Sequence, residues 1–304
     1  MTAVTWDDTL DEVAMLRGRP RVVEELSGGL TNINLKVTCN DRTVVVRIAQ
    51  PGADLLEIDR ERERHDTEAA AEAGIGPPVL ECPRRGLLVV QFIDGRTYTD
   101  DDLNDLGNLR RVAESCRVLH AGPRFAGDFD MRAIQRRYLD VVRQRGFRLP
   151  ERYLEHQEAA DRVADALAVL HPPTVPCHND LLAGNFIDDG DKIWIIDYEY
   201  GGNNDPCFEL GNIWSEAALS LDHLEELMAA YDGRLLRHRL ARARLWGLLS
   251  KYGWTLWASI QDAESDFDFD FWAWGMEKYD RAEAEFGGAD FDRLLVEATT
   301  KDAE

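Results

Sequence analysis

The stretch from Cys177 to Tyr200, CHNDLLAGNFIDDGDKIWIIDYEY, constrains this chain more than any other. Asn185-Phe186-Ile187 and Lys192-Ile193-Trp194-Ile195-Ile196 are β-prone runs, and Asp188-Asp189-Gly190-Asp191 between them is turn chemistry. An antiparallel hairpin is the expected result. Folding it back sets Asn185, where the first strand begins, beside Asp197, where the second ends, with Asp180 on the loop just upstream. An amide oxygen and carboxylates then converge at one edge. Hard oxygen ligands of this kind suit Mg²⁺, which keeps waters and shares substrate phosphates.

Composition narrows the partners. At 304 residues the chain has room for one large domain or two lobes. Its 35 basic and 57 acidic side chains leave a formal charge of -22. That excess argues against nucleic acid or an anionic membrane as partner and suits a cationic ligand, although a generally acidic, soluble surface would read the same way. The five cysteines (Cys39, Cys82, Cys116, Cys177, Cys207) are scattered and include no C-x-x-C pair, as expected of reduced thiols in a cytoplasmic protein. The first ten residues lack the basic start and apolar run of a signal peptide. No apolar stretch approaches the ~18 residues of a membrane helix.

Upstream of the hairpin, runs 21–26, 33–38 and 43–48 read as a three-stranded antiparallel meander. Its first connection is the loop Ser27-Gly28-Gly29-Leu30-Thr31-Asn32, where glycines let backbone N–H groups approach phosphate. Arg47 lies inside the apolar third strand and needs a partner; Glu63, on a helix expected over 57–73, is the candidate. Gly74, Gly76, Pro77 and Pro78 stop that helix. Two strands follow, 79–82 and 87–92, and Ile93-Asp94-Gly95 leaves the sheet. Beyond Asp101 the spacing turns helical over 109–119, 131–144, 153–170, 221–231 and 235–260. The expectation is an α+β chain in two lobes: a small antiparallel β-rich lobe (1–93) and a large, mainly helical lobe (94–304), with the hairpin at their junction.

The spacing His178-x-Asp180-x₄-Asn185, followed by Asp197 after a short hairpin, is that of phosphoryl transfer in kinase-like enzymes. SGGLTNINLKV (27–37), VVVRI (44–48), IDRERE (58–63), AAEAGIGPPVL (70–80), CHNDLLAGNF (177–186), IDYEYGGNNDPCFELGN (196–212) and KYGWTLWASIQ (251–261) extend the likeness over nearly the whole chain. The chain resembles the choline/ethanolamine kinase family, within the protein-kinase-like group that also holds the aminoglycoside phosphotransferases. Glu199-Tyr200 after the second Asp, and Arg at position 47, point to that branch.

The resemblance implies a two-lobed protein-kinase-like fold and an ATP- and Mg²⁺-dependent kinase of a small cationic amino alcohol, choline first and ethanolamine second. It implies that Asp180 orients the attacking hydroxyl and takes its proton late, and that Asn185 and Asp197 hold Mg²⁺. Ser27, Gly29, Thr31 and Asn32 would cover the phosphates, Arg47 would bind phosphate while held by Glu63, and Gln91 and Ile93 would line the adenine pocket. His178 would brace the loop, and Glu199 would support the metal site. Trp254, Trp257, Trp274 and Glu216 would form the substrate pocket, since an aromatic cage is worth ~2 kcal/mol or more to a desolvated quaternary ammonium. Glu209 departs from the family, which usually has Asp there. Two alternatives remain: a kinase of another amine (amino sugar, aminoglycoside or thiamine), and a non-catalytic binding protein on the same fold. Oligomeric state stays open.

Overall fold

Alternation of apolar and polar residues in NINLKVTC and RTVVVRIA sends Leu35, Val37, Val44 and Val46 to one face of a sheet. In the computed structural model, which describes residues 6–27, 29–50, 53–56 and 58–302, that face packs against Leu10, Val13 and Leu16 of the N-terminal segment. Gly28 of the glycine loop and Glu57, the expected first residue of the helix, lie outside the described residues. The strands are β1 (Arg21–Leu26), β2 (Asn32–Cys39), β3 (Arg42–Ala49), β4 (Val79–Arg84) and β5 (Leu87–Gln91). They form one antiparallel sheet in the order β1-β2-β3-β5-β4. The helix after β3 runs Arg60–Glu72. Asp59 caps it, its carboxylate accepting the Glu61 backbone N–H at 3.0 Å.

Past the sheet the chain is mostly helical, so the α+β expectation holds. The 28-residue helix Arg237–Glu264 is the central element, buried along most of its length from Ala241 to Gln261. The helix Pro206–Glu216 crosses it so closely that a Cβ on Gly211 would come within 2.1 Å of the Ala243 carbonyl oxygen. One expected helix changes shape, and one helix was not expected. The 153–170 run is a 3₁₀ turn, Tyr153–His156, followed by the helix Gln157–Val169, and the helix Pro206–Glu216 has no counterpart in the sequence reading. Buried on nearly every side, Pro206–Glu216 shows no 3-to-4 apolar stripe for a periodicity argument to detect.

The hairpin is present but shorter than expected. Its strands are Phe186–Asp188 and Ile193–Ile195, with Phe186 opposite Ile195. Asn185 belongs to the preceding 3₁₀ turn Ala183–Asn185 rather than to the strand, yet its carbonyl still accepts the Ile196 N–H at 3.0 Å. A two-residue strand, Arg96–Thr97, adds a third edge. The Arg111 guanidinium grips both carboxylate oxygens of Asp188 and ties the hairpin to the helix Leu106–His120.

Side chains of the helix Pro206–Glu216 hold the loop before the hairpin by its backbone. Glu209 accepts the N–H of His178 at 2.7 Å through one oxygen and that of Asn179 at 2.8 Å through the other. Asn212 accepts the N–H of Leu181 at 2.8 Å. Asn179 sits at φ 69°, and its amide reaches the carbonyls of Cys177 and Tyr200, both at 3.0 Å. The helix is itself fixed at its start: Asp205 caps it, accepting the Cys207 N–H at 2.8 Å, and pairs with the fully buried Arg242. Glu209→Gln would turn an amide N–H₂ toward one of the two backbone donors, leaving a buried N–H unpaired at a cost of about 1–3 kcal/mol. Chemical denaturation is expected to show a loss of that size; an unchanged unfolding midpoint would contradict the clasp.

Candidate active site

Asp180 lies at the exit of the clasped segment, half-buried. His178 is wholly buried beside it. The ring Nε2–H donates to the Ile196 carbonyl at 2.8 Å, and Nδ1 accepts the Asp180 backbone N–H at 3.2 Å. Burial holds His178 below its usual pKa, which keeps the ring neutral and suited to that two-sided brace. Glu209 behaves in the opposite sense. Burial pushes its carboxyl up, but His120, His178 and the clasped amides outweigh burial and keep it ionised. The extra methylene relative to Asp lets one carboxylate span two successive amides. Asp180 is pushed well above the usual carboxylate range, first by desolvation and then by Glu216, Glu199 and Asp197, with Lys278 opposing.

The structure brings Asn185 and Asp197 to the same edge as Asp180. Asn185 donates through Nδ2 to the Asp180 carbonyl at 2.8 Å, which leaves its Oδ1 as an acceptor. Asp197 is a non-glycine residue at φ 74°, a strained backbone region of the sort that clusters at functional sites. Three hard oxygen donors on one rim fit Mg²⁺ by chemistry. Asp197 also carries an interaction that sequence reasoning missed, because Arg47 Nη2 stands 2.5 Å from its Oδ1.

Arg47 reaches the partner chosen for it as well, with Glu63 Oε1 at 3.2 Å. Burial works against the guanidinium, but Asp197, Glu63 and Glu199 hold it protonated. Arg60 joins this cluster, with Nη1 2.8 Å from Glu63 and 3.3 Å from Glu199. Arg47 Nε and Arg60 Nη2 are buried without a partner among the described residues, so the cluster has N–H donors to spare. Glu199 is pushed up to about 7 by desolvation and by the neighbouring Asp197 and Glu63. It accepts the Thr31 hydroxyl at 2.7 Å and the Asn32 amide at 2.9 Å. The loop thus leans on the hairpin through Thr31 and Asn32, whereas Ser27 is exposed. Gly29 allows the turn, since a Cβ there would lie 2.6 Å from the Asn32 carbonyl oxygen. Gln91 ends β5 exposed, and the next segment buries Ile93.

The aromatic residues pack on one another. Trp254 and Trp257 are only 3% and 6% exposed and belong to the main apolar core, with Trp274 packed against it. Trp257 meets Trp274 edge-on at 5.5 Å, and Trp254 meets Tyr200 at 4.9 Å. Tyr200 completes the box, its hydroxyl accepting Trp257 Nε1–H at 2.9 Å. Glu216 also faces this region but is engaged by the Lys278 ammonium. Tyr200 and Lys278 were absent from the expected site. The position of Lys278, four residues after Trp274 and so on the same helix face, was the one available signal for it.

Residues 23–234 match the choline/ethanolamine kinase family. Human ethanolamine kinase 2 is 32% identical over 267 residues, covering 78% of this chain and 68% of that protein. A probable ethanolamine kinase of Arabidopsis thaliana is 27% identical over 292 residues, covering 84% and 77%. A choline/ethanolamine kinase family protein from Mesorhizobium loti superposes with a TM-score of 0.84 at 32% identity over 96% of this chain and 97% of that one. The chain belongs to the choline/ethanolamine kinase family, and it is a small-molecule kinase that phosphorylates an amino alcohol.

Proposed function

We propose that the chain transfers the γ-phosphoryl group of ATP, with Mg²⁺, to the hydroxyl of choline or ethanolamine. The observation that carries this reading is the position of Asp180. Asn185 bonds to the Asp180 carbonyl and to the Ile196 N–H, which sets Asp180 beside Asp197 and the Arg47–Glu63 cluster, and Asp180 also feels Glu216 and Lys278, which adjoin Trp274. A group there can face a nucleotide and an alcohol together. The two lobes, 1–93 and 94–304, would close on the nucleotide between them.

In this reading Asp180 accepts a hydrogen bond from the acceptor hydroxyl. The alcohol oxygen attacks the γ-phosphorus, the bond to the β-phosphate oxygen breaks, ADP leaves, and the hydroxyl proton passes late to the Asp180 carboxylate. An alcohol is too weak an acid for a carboxylate to deprotonate beforehand. Mg²⁺, held by Asn185 and Asp197, would supply charge neutralisation across the phosphates. Arg47, fixed by Glu63, offers its guanidinium to phosphate, while Thr31 and Asn32 keep the glycine loop over it. Gln91 and Ile93 border the adenine, Glu199 ties that loop to the metal edge, and His178 fixes the direction of Asp180. Trp254, Trp257, Trp274 and Glu216 receive the amine end. The five free thiols, four of them buried, suit a reducing compartment such as the cytoplasm.

Removing the proton acceptor should slow chemistry without removing the nucleotide. Asp180→Ala is expected to lower kcat by ~10²–10⁴-fold. Nucleotide affinity, read by titration calorimetry, should stay within ~3-fold, a difference of under 1 kcal/mol. Near-normal turnover in that variant would contradict the assigned role.

A further inference from the structure

Glu216 ends the helix Pro206–Glu216, and Lys278 projects from the facing helix Phe271–Phe286. The Lys278 ammonium is paired with Glu216 Oε2, and both side chains are nearly sealed from water, at 3% and 2% exposure. The same ammonium stands 3.9 Å from the centroid of the Trp274 ring. Trp274 leans on Trp257, which is hydrogen bonded to Tyr200, which packs on Trp254. A desolvated cation against an aromatic face and a carboxylate makes the contacts a quaternary ammonium ligand would seek. Here the protein supplies that cation itself.

We propose that Lys278 is a specificity-determining residue: by filling the cation position at Trp274 and Glu216 it selects primary amino alcohols over quaternary ones. The inference rests on the amino-alcohol reading above. Any ammonium brought to this wall meets repulsion from Lys278, so the discrimination lies in whether the newcomer brings N–H donors that offset it. Glu216 meanwhile keeps one unmet need. Its Oε1 is buried with no hydrogen-bond partner among the described residues, a state that costs free energy until a donor arrives. A primary ammonium has three N–H bonds to give; a quaternary ammonium has none. The unpartnered Glu216 oxygen therefore accommodates one more hydrogen-bonding cation.

The test compares ethanolamine, N,N-dimethylethanolamine and choline as acceptors for the wild type, Lys278→Met and Lys278→Gln, with Mg-ATP in each assay. The wild type is expected to prefer ethanolamine over choline by ~10-fold or more in kcat/KM, because a site built to hydrogen bond its ligand rejects the analogue that lacks the donor. Either variant should move the choline-to-ethanolamine ratio toward choline by ~10-fold, chiefly through KM, the equivalent of ~1.4 kcal/mol. A wild type that prefers choline, or a ratio that both variants leave unchanged, overturns the proposal. A second arm needs no turnover: tryptophan fluorescence is titrated with tetramethylammonium and with methylammonium. Saturable quenching by tetramethylammonium should appear in the variants and be absent from the wild type; equal quenching in all three overturns the proposal. If no alcohol is phosphorylated while this second arm behaves as expected, the amino-alcohol reading fails and the role of Lys278 in the box stands.

Discussion

One carboxylate accepting two successive backbone N–H groups sets the geometry on which the rest depends. The loop from His178 to Leu181 has to hold Asp180 at the rim with its side chain unencumbered. A short polar segment cannot do that with its own hydrogen bonds. Glu209 and Asn212 provide the missing acceptors from a helix anchored by the buried Asp205–Arg242 pair. A buried ion pair of this kind adds less to net stability than its Coulomb attraction suggests, because desolvation offsets much of the gain. Its contribution is position. Asn179, at positive φ, turns the chain just before Asp180, and its own amide holds the Tyr200 carbonyl.

A second network couples the two halves of the site. Arg47 of the sheet, Arg60 and Glu63 of the following helix, and Asp197 and Glu199 after the hairpin are within hydrogen-bonding range in sequence. Thr31 and Asn32 join through Glu199, and Gln261, on the helix that carries Trp254 and Trp257, donates to the Leu30 carbonyl at 3.2 Å. The segment Leu30–Asn32 thus touches both the residues after the hairpin and the helix that carries Trp254 and Trp257.

Much of this was legible in the sequence, for identifiable reasons. Period-two alternation marks β2 and β3, and a charge inside an apolar strand requires a partner, which leads from Arg47 to a glutamate on the next helix. The turn-rich tetrad at 188–191 places Asn185 near Asp197 even though the strands are shorter than expected. What stayed hidden depends on long-range packing. The helix Pro206–Glu216 is buried on nearly all sides and so lacks an amphipathic stripe. The Arg47–Asp197 contact spans 150 positions. Lys278 reads as an ordinary surface lysine of an aromatic-rich helix until the fold brings Glu216 opposite it. Glu209 was visible as a departure from the family pattern, but its reach across two amides needs the loop's conformation.

The central claim is that the clasped loop presents Asp180 to an alcohol while the arginine and metal-edge residues hold a nucleoside triphosphate. Phosphorus NMR of the wild-type protein with Mg-ATP and ethanolamine tests it most directly. The account predicts a new phosphomonoester signal that grows in step with ADP and requires the alcohol. ADP accompanied only by inorganic phosphate, at a rate indifferent to the alcohol, would contradict it.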